Sequence, residues 1–349
     1  MGPVLGSLLA LAVVASGATA AWIYRAELLE MFGLGPQPAA VGPSPRPTPG
    51  PTPSPEPDPS PSPPTRGRLV IHGTGDVNLD PSYIPNLRAH GYGYAWSGLR
   101  GLFREDDLTV VNLECAASEL GAPVPKEFNF RCDPAALPAA RRAGVEVANL
   151  ANNHSGDYGV EALLDSRRRL REAGIAPVGV GRNAAQAAKP VIVEAKGWRI
   201  AVLGFGGVIP SPTWIAGEGS PGMADGDTIE SMTRAVRAAK RRADLVIVTV
   251  HWGLELATVP SPDDVERAHA MIEAGADAIL GHHAHRLHPL EHYRGKPVAY
   301  GLGNFVWPNF SVEGSTTAVA RIVVTPDGEV RGRLVPAFIE DAGHPVLVD

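Results

Sequence analysis

Three of the chain's eleven histidines fall in one pentapeptide, GHHAH, at residues 281–285. Imidazole binds metals and moves protons, but a metal site takes three or four ligands, so GHHAH needs partners from elsewhere. The chain supplies them in a regular way. Apolar runs end on Asp76 (GTGDVN), on Glu114 (VVNLEC), on Asn152, Asn153 and His154 (ANLANNHSGDYG), and on His251 (VTVHWG). A fifth run ends on His282, His283 and His285. Imidazole with carboxylate suits zinc, manganese or iron, and no thiolate cluster competes. A carboxylate can bridge two cations about 3.5–4 Å apart, a pair that activates water and clamps an oxyanion. A histidine left free of metal can donate a proton to a leaving group.

The elements that must position these groups are legible as alternating apolar and amphipathic stretches. Strands are predicted over 68–77, 108–114, 145–151, 198–205, 244–253, 277–283 and 297–305, apolar enough to be buried on both faces. Helices are predicted over 159–174, 226–243 and 261–275. The first places Val160, Leu163, Leu164 and Leu170 near one face. The last opens with Ser261 as N-cap, carries Asp264 three residues on, and stops at Gly275. The tail, 317–340, reads as a hairpin turning at Asp327-Gly328. Alternation of this kind argues an α/β fold, and in such folds sites gather at the carboxyl ends of strands.

With these residues in view, the sequence resembles the CapA family of poly-γ-glutamate capsule synthesis proteins, related to the calcineurin-like metallophosphatases. The resemblance runs from Val70 to Pro308, through GDVNL, NLE, LANNHSGDYG, HWGLE, GHHAH and GKPVAYGLGNF in the family's order. It implies a two-sheet α/β sandwich flanked by helices, with two divalent ions (manganese, zinc or iron) at the strand ends. By that resemblance Asp76 and His285 hold one ion, Asn153, His251 and His283 the other, and Glu114 bridges them. His154 stands beside them as proton donor or oxyanion contact. Asn78, Asn152 and Asn304 support the ligands from behind. Asn78 is a departure: the wider phosphatase pattern has a histidine two residues after the first aspartate, which leaves the first ion with fewer protein ligands. His72, His90, His269, His288, His292 and His344 are read as loop histidines outside the site. Arg131, in NFRCDP, is a candidate for an anionic substrate, because its planar fork matches carboxylate or phosphate; a surface salt bridge is the alternative.

Outside this core the chain divides by composition. Residues 1–24 carry no charge before Arg25 and are apolar enough for a membrane anchor or a cleaved signal peptide. Residues 25–65 contain fourteen of the 34 prolines and read as an extended linker. That leaves 66–349 as the folded domain, held outside the cytoplasm on a single-pass anchor, or secreted if the signal is cleaved. A net charge of −6 with no recurring basic patch excludes a nucleic-acid surface. Cys115 and Cys132, the only cysteines, are expected to pair in an exported domain, with two buried free thiols as the alternative.

The expected activity is metal-dependent hydrolysis or transfer on an envelope polymer such as poly-γ-glutamate, in capsule synthesis or export. A non-enzymatic factor that grips an anionic polymer, and a metal-dependent phosphoesterase, are the competing readings.

Overall fold

The computed structural model describes residues 65–348. The expected anchor (1–24) and linker (25–65, save Thr65) lie outside the described residues. Among those described, no helix is long and apolar enough to cross a membrane.

Two sheets make the body. The first holds β1 (Leu69–Val77), β2 (Leu108–Leu113), β3 (Val147–Asn149), β4 (Ala176–Val178), β13 (Asn304–Val306), β14 (Thr316–Val324), β15 (Val330–Asp341) and β16 (His344–Leu347). Their order is β16-β15-β14-β1-β2-β3-β4, with β13 also paired to β1. The second holds β6 (Val191–Ala195), β7 (Trp198–Gly206), β9 (Leu245–His251), β10 (Ala278–His282), β11 (Leu290–Tyr293) and β12 (Lys296–Ala299), in the order β11-β12-β10-β9-β7-β6. A two-stranded pair, β5 (Val180–Gly181) with β8 (Gly222–Met223), stands apart.

Strand alternation sorts the apolar residues into layers. Ile71 and Val110 of the first sheet share one buried cluster with Val202, Ile247 and Leu280 of the second. The alternate residues face outward under helices. Val111 and Leu113 share a cluster with α1 (Leu137–Ala143) and α2 (Gly159–Glu172). Val246 and Val248 share another with α3 (Ile229–Lys240) and α4 (Pro262–Ala274). This is a two-sheet α/β sandwich flanked by helices. α4 is bounded as its sequence predicts, with a Ser261–Asp264 capping box and a left-handed Gly275 at its end.

Three expectations change. The run 297–305 is two strands in different sheets: β12 ends in the second at Ala299, and β13 begins in the first at Asn304. Gly303, at φ +73°, allows the crossing. The crossing is itself buried and apolar, so hydropathy alone reads it as one strand. The run 145–151 keeps only three strand residues, because Asn149 Oδ1 accepts the Ala151 N–H at 3.0 Å and turns the chain. Val160, expected on the buried face of α2, is 50% exposed.

Two glycines in GTGD let β1 approach its neighbours. A Cβ on Gly73 would lie 2.6 Å from the Leu280 methyls across the sandwich, and one on Gly75 would lie 2.1 Å from the Gly303 carbonyl oxygen. Gly75→Ala therefore forces β13 away from β1. The expected loss is about 1–3 kcal/mol, read as a lower urea midpoint at unchanged m-value; an unaltered midpoint would contradict the tight β1–β13 packing.

Candidate metal centre

Each sheet presents one polar rung at its carboxyl edge. In the first, Asp76 pairs laterally with Asn304 on one side and Asn112 on the other, and Asn112 pairs with Asn149. In the second, His251 pairs with Gly206 and with His282. Paired residues of parallel strands point to the same side, so each rung arrives as a set. The loops add the rest: Glu114 follows β2, Asn152 to His154 follow β3, and His283 and His285 follow β10.

Asp76, Glu114, His251 and His282 are all buried. Two groups of potential ligand atoms lie within 4.8 Å of one another: Asp76, Glu114 and His285, and Glu114, His251 and His283. Glu114 belongs to both. Its Oε1 is 3.7 Å from His251 Nε2 and 3.9 Å from His285 Nε2. Asn153 Oδ1 lies 2.8 Å from His251 Nε2, which adds it to the second group. Asp76 Oδ2 accepts the His283 backbone N–H at 3.2 Å and faces His285 Nδ1 at 3.2 Å. The sequence-predicted ligands Asp76, Glu114, Asn153, His251, His283 and His285 thus converge.

The donor set fits divalent metal ions. Glu114 Oε1 and His283 Nδ1 are buried with no hydrogen-bond partner. Buried polar atoms are paired as a rule, and an ion explains those that are not. His283 and His285 also hold left-handed backbone, φ +88° and +52°. Such conformations cost free energy in non-glycine residues and cluster at functional sites.

Behind the ligands, Asn112 joins the parts. Its Nδ2 donates to Asp76 Oδ1 at 2.9 Å and lies 3.1 Å from His251 Nδ1, and its Oδ1 accepts from Asn149 and Asn152, each at 3.2 Å. Asn152 Oδ1 accepts the backbone N–H groups of His154 and Ser155, which builds the turn carrying His154. His282 packs from below: its Nε2 contacts Thr249 Oγ1 at 2.9 Å and its Nδ1 faces Asp76 Oδ1 at 3.5 Å.

His154 stands at the edge of the centre, in a cleft of about 420 Å³ that Lys126, Phe130, His285, Arg286 and Trp307 also line. Its Nδ1 lies 2.7 Å from Asp157 Oδ2, and Phe130 packs on its ring with centroids 4.2 Å apart. Lys126 Nζ lies 2.7 Å from Asp157 Oδ1 and 3.1 Å from His154 Nδ1. Sequence reasoning missed Asp157, Lys126, Phe130 and Asn112. Asp157 was within reach, three residues after His154; Lys126 and Phe130 arrive on a long loop with no periodic signal. A Cys115–Cys132 disulfide, with Cα atoms 5.4 Å apart, ties that loop to the end of β2.

Arg131 does something other than expected. Its guanidinium donates to the carbonyls of Glu119, Leu120 and Gly121 and stacks 3.6 Å over the Tyr158 ring. It fixes the 119–121 turn and does not line the metal cleft. Several histidines read as loop residues sit in regular elements: His72 is buried in β1 with Nδ1 2.7 Å from Asp106 Oδ2, His269 lies in α4, His292 in β11 and His344 in β16. None of them joins the ligand groups.

The electrostatics follow from burial. Burial alone would raise Asp76, but contacts with His282 and His285, and the charges of His285 and His251, hold its carboxyl well below the usual range. Glu114 goes the other way: burial, then the adjacent Asp76, push it well above. Burial holds His251 well below the imidazole range and brings His283 down to about 4. Burial lowers His154 as well, against the pull of Asp157. His154, His251 and His283 are therefore mainly neutral at pH 7, and neutral imidazole is the form that binds metal.

Residues 70–309 match the family described as bacterial capsule synthesis protein PGA_cap. The chain belongs to this family. It is 33% identical over 289 residues to "Capsule biosynthesis protein CapA" of Bacillus anthracis, covering 80% of this chain and 69% of that protein. It is 31% identical over 244 residues to "PGA biosynthesis protein CapA" of Bacillus subtilis (strain 168), covering 69% of this chain and 64% of that one. Among solved structures, a putative 5'-nucleotidase from Staphylococcus aureus, crystallised with alpha-ketoglutarate, superposes with a TM-score of 0.51. Its identity is 16%, over 81% of this chain and 54% of that one, a likeness of fold. The PGA_cap match spans β1 to just past β13, so every predicted ligand lies inside it.

A raised Glu114 carries a sign. Its folded form holds a proton where the unfolded chain has lost it, so its favourable contribution is present below about pH 4.5 and is lost as pH rises. In the metal-free protein Glu114→Gln should therefore stabilise the fold at pH 7 by about 0.5–2 kcal/mol. The gain should vanish on acidification below pH 4.5. Denaturant titrations at several pH values in chelator check this; a destabilised variant at pH 7 would contradict it. With metal present the sign reverses, because the shared ligand is gone.

Proposed function

We propose that this chain is a metal-dependent hydrolase or transferase acting on an anionic, amide-linked envelope polymer of the poly-γ-glutamate kind, in capsule synthesis or export. The observation that carries the reading is Glu114 shared between two buried ligand groups, beside a His154–Asp157 pair that opens on a cleft. The names of the Bacillus relatives support the polymer class. They do not distinguish hydrolysis from transfer, and the chain spans only about two thirds of their lengths.

Divalent ions bound by the two groups would supply Lewis-acid polarisation of a substrate carbonyl or phosphoryl group. The protein's residues do the remainder. Asp157 holds His154 by Nδ1, which leaves Nε2 to exchange a proton with the substrate. Lys126 offsets the Asp157 charge and keeps a cation near the incoming polyanion. Phe130 and Trp307 wall the cleft, exclude water beside His154, and strengthen these interactions. For the whole protein we propose an apolar anchor or signal at 1–24 and an extended linker at 25–65, with the domain presented outside the cytoplasm.

Metal analysis of the purified full chain should find about two transition-metal ions, lost together in His283→Ala/His285→Ala. His154→Ala should keep the metal and lose about 10²–10⁴-fold in turnover of poly-γ-glutamate. Metal bound but no turnover of poly-γ-glutamate or a generic phosphodiester by the wild type would leave a binding factor. No metal after reconstitution would remove the hydrolase reading.

A further inference from the structure

Two asparagines flank Asp76, and the amide atom each leaves unpaired is of opposite kind. Asn78 follows it along the chain. Its Oδ1 accepts the Asp80 N–H at 2.9 Å, and the atom left without a partner is Nδ2. An amide nitrogen donates hydrogen bonds and is no ligand for a divalent ion. Asn304 lies beside Asp76 across the β1–β13 pairing. Its Nδ2 donates to the Gly314 carbonyl at 2.9 Å, which fixes which way the carboxamide points. Its Oδ1 is buried with no partner among the described residues, on a side chain 4% exposed that lines the same cleft as His285. An unpaired buried carbonyl oxygen is costly, and nothing in the fold repays it.

We infer that Asn304 Oδ1 is a ligand of the ion held by Asp76, Glu114 and His285, restoring the donor that Asn78 does not provide. The inference rests on the two-ion reading above. It makes the two positions chemically unequal. One has three oxygen ligands and one imidazole: Asp76, Glu114, Asn304 and His285. The other has two oxygens and two imidazoles: Glu114, Asn153, His251 and His283. Carboxylate and carbonyl oxygen suit manganese, whereas imidazole suits zinc and iron, so the Asn304 position is the more manganese-like of the two. The β1–β13 contact thereby acquires a role beyond packing, because the crossing at Gly303 delivers a ligand.

The test is calorimetric titration of manganese into the metal-free full chain, wild type beside Asn304→Ala and Asn304→Asp. Wild type should show two binding events. Asn304→Ala should weaken one by more than about 100-fold, beyond what losing an outer-shell partner costs, and leave the other in place, which also shows that the variant is folded. Asn304→Asp, which keeps an oxygen and adds charge, should bind the weakened ion at least as tightly as wild type. Two unchanged affinities in Asn304→Ala would overturn the inference while leaving the metal centre standing, and so would the joint loss of both events, which marks a structural role. Wild type without any binding event would overturn both. A crystal structure of the manganese-loaded protein gives an independent reading: Oδ1 about 2.0–2.3 Å from the ion supports a ligand, and a water between them rejects it.

Discussion

The structure turns on two carboxylates buried side by side. Asp76 and Glu114 have no exposure to solvent, and Asp76 adds to the burial that raises Glu114. Two like charges removed from water at close range are unfavourable, and a fold keeps them only with compensation. Part of it is internal. Asn112 donates to Asp76, His282 and His285 lie against the same carboxyl, and the His283 N–H points at it. Glu114 receives much less, and its Oε1 has no hydrogen-bond partner. The imbalance places the remaining demand for positive charge at Glu114, the one residue common to both ligand groups. Stability and the proposed metal binding pull in opposite directions there.

The sandwich exists in a form that serves this pair. Parallel strands from both sheets end at one edge, so a single rung in each delivers Asn304, Asp76, Asn112 and Asn149 against His251 and His282. Bringing the rungs within ligand distance requires the sheets to approach, and side chains on β1 would prevent it. Gly73 removes one where Leu280 of the second sheet presses on β1, and Gly75 removes another where the Gly303 carbonyl presses on β1 within the first sheet. Local backbone freedom, inter-sheet packing and ligand geometry are thus one requirement met by the GTGD stretch.

Much of this was legible in the sequence because strands buried on both faces are uniformly apolar, so a polar residue at their ends stands out. Asp76, Glu114, His251 and GHHAH were visible for that reason, and helix α4 for its Ser261, Asp264 and Gly275 signals. Three kinds of feature were not visible. Asn112 lies inside a strand and looks like a tolerated polar residue; only the structure shows that it joins Asp76, Glu114, His251, Asn149 and Asn152. The 297–305 run hides a change of sheet, since the crossing is buried like the strands it connects. Lys126 and Phe130 come from a loop whose path is set by a disulfide and by Asp157, which also accepts the Phe130 N–H at 2.8 Å. Arg131 lies on the same loop, and its side chain turns to nearby carbonyls rather than to the metal groups.

The loop from Cys115 to Cys132 explains how His154, the proposed proton-transferring group, is kept beside the candidate ligands without joining them. His154 grows from the turn after β3, which Asn152 shapes, but its ring is fixed from the other side. Asp157 holds Nδ1, Phe130 covers one face, and Lys126 closes the network onto the Asn153 carbonyl. Phe130 is held by its N–H to Asp157 and by its carbonyl, which accepts the Ala116 N–H at 3.0 Å, one residue past the disulfide. Cys115 directly follows Glu114. The covalent link therefore anchors the segment that carries Phe130 next to Glu114, so the candidate metal ligand and the aromatic packed on His154 are positioned from adjacent residues of one strand end.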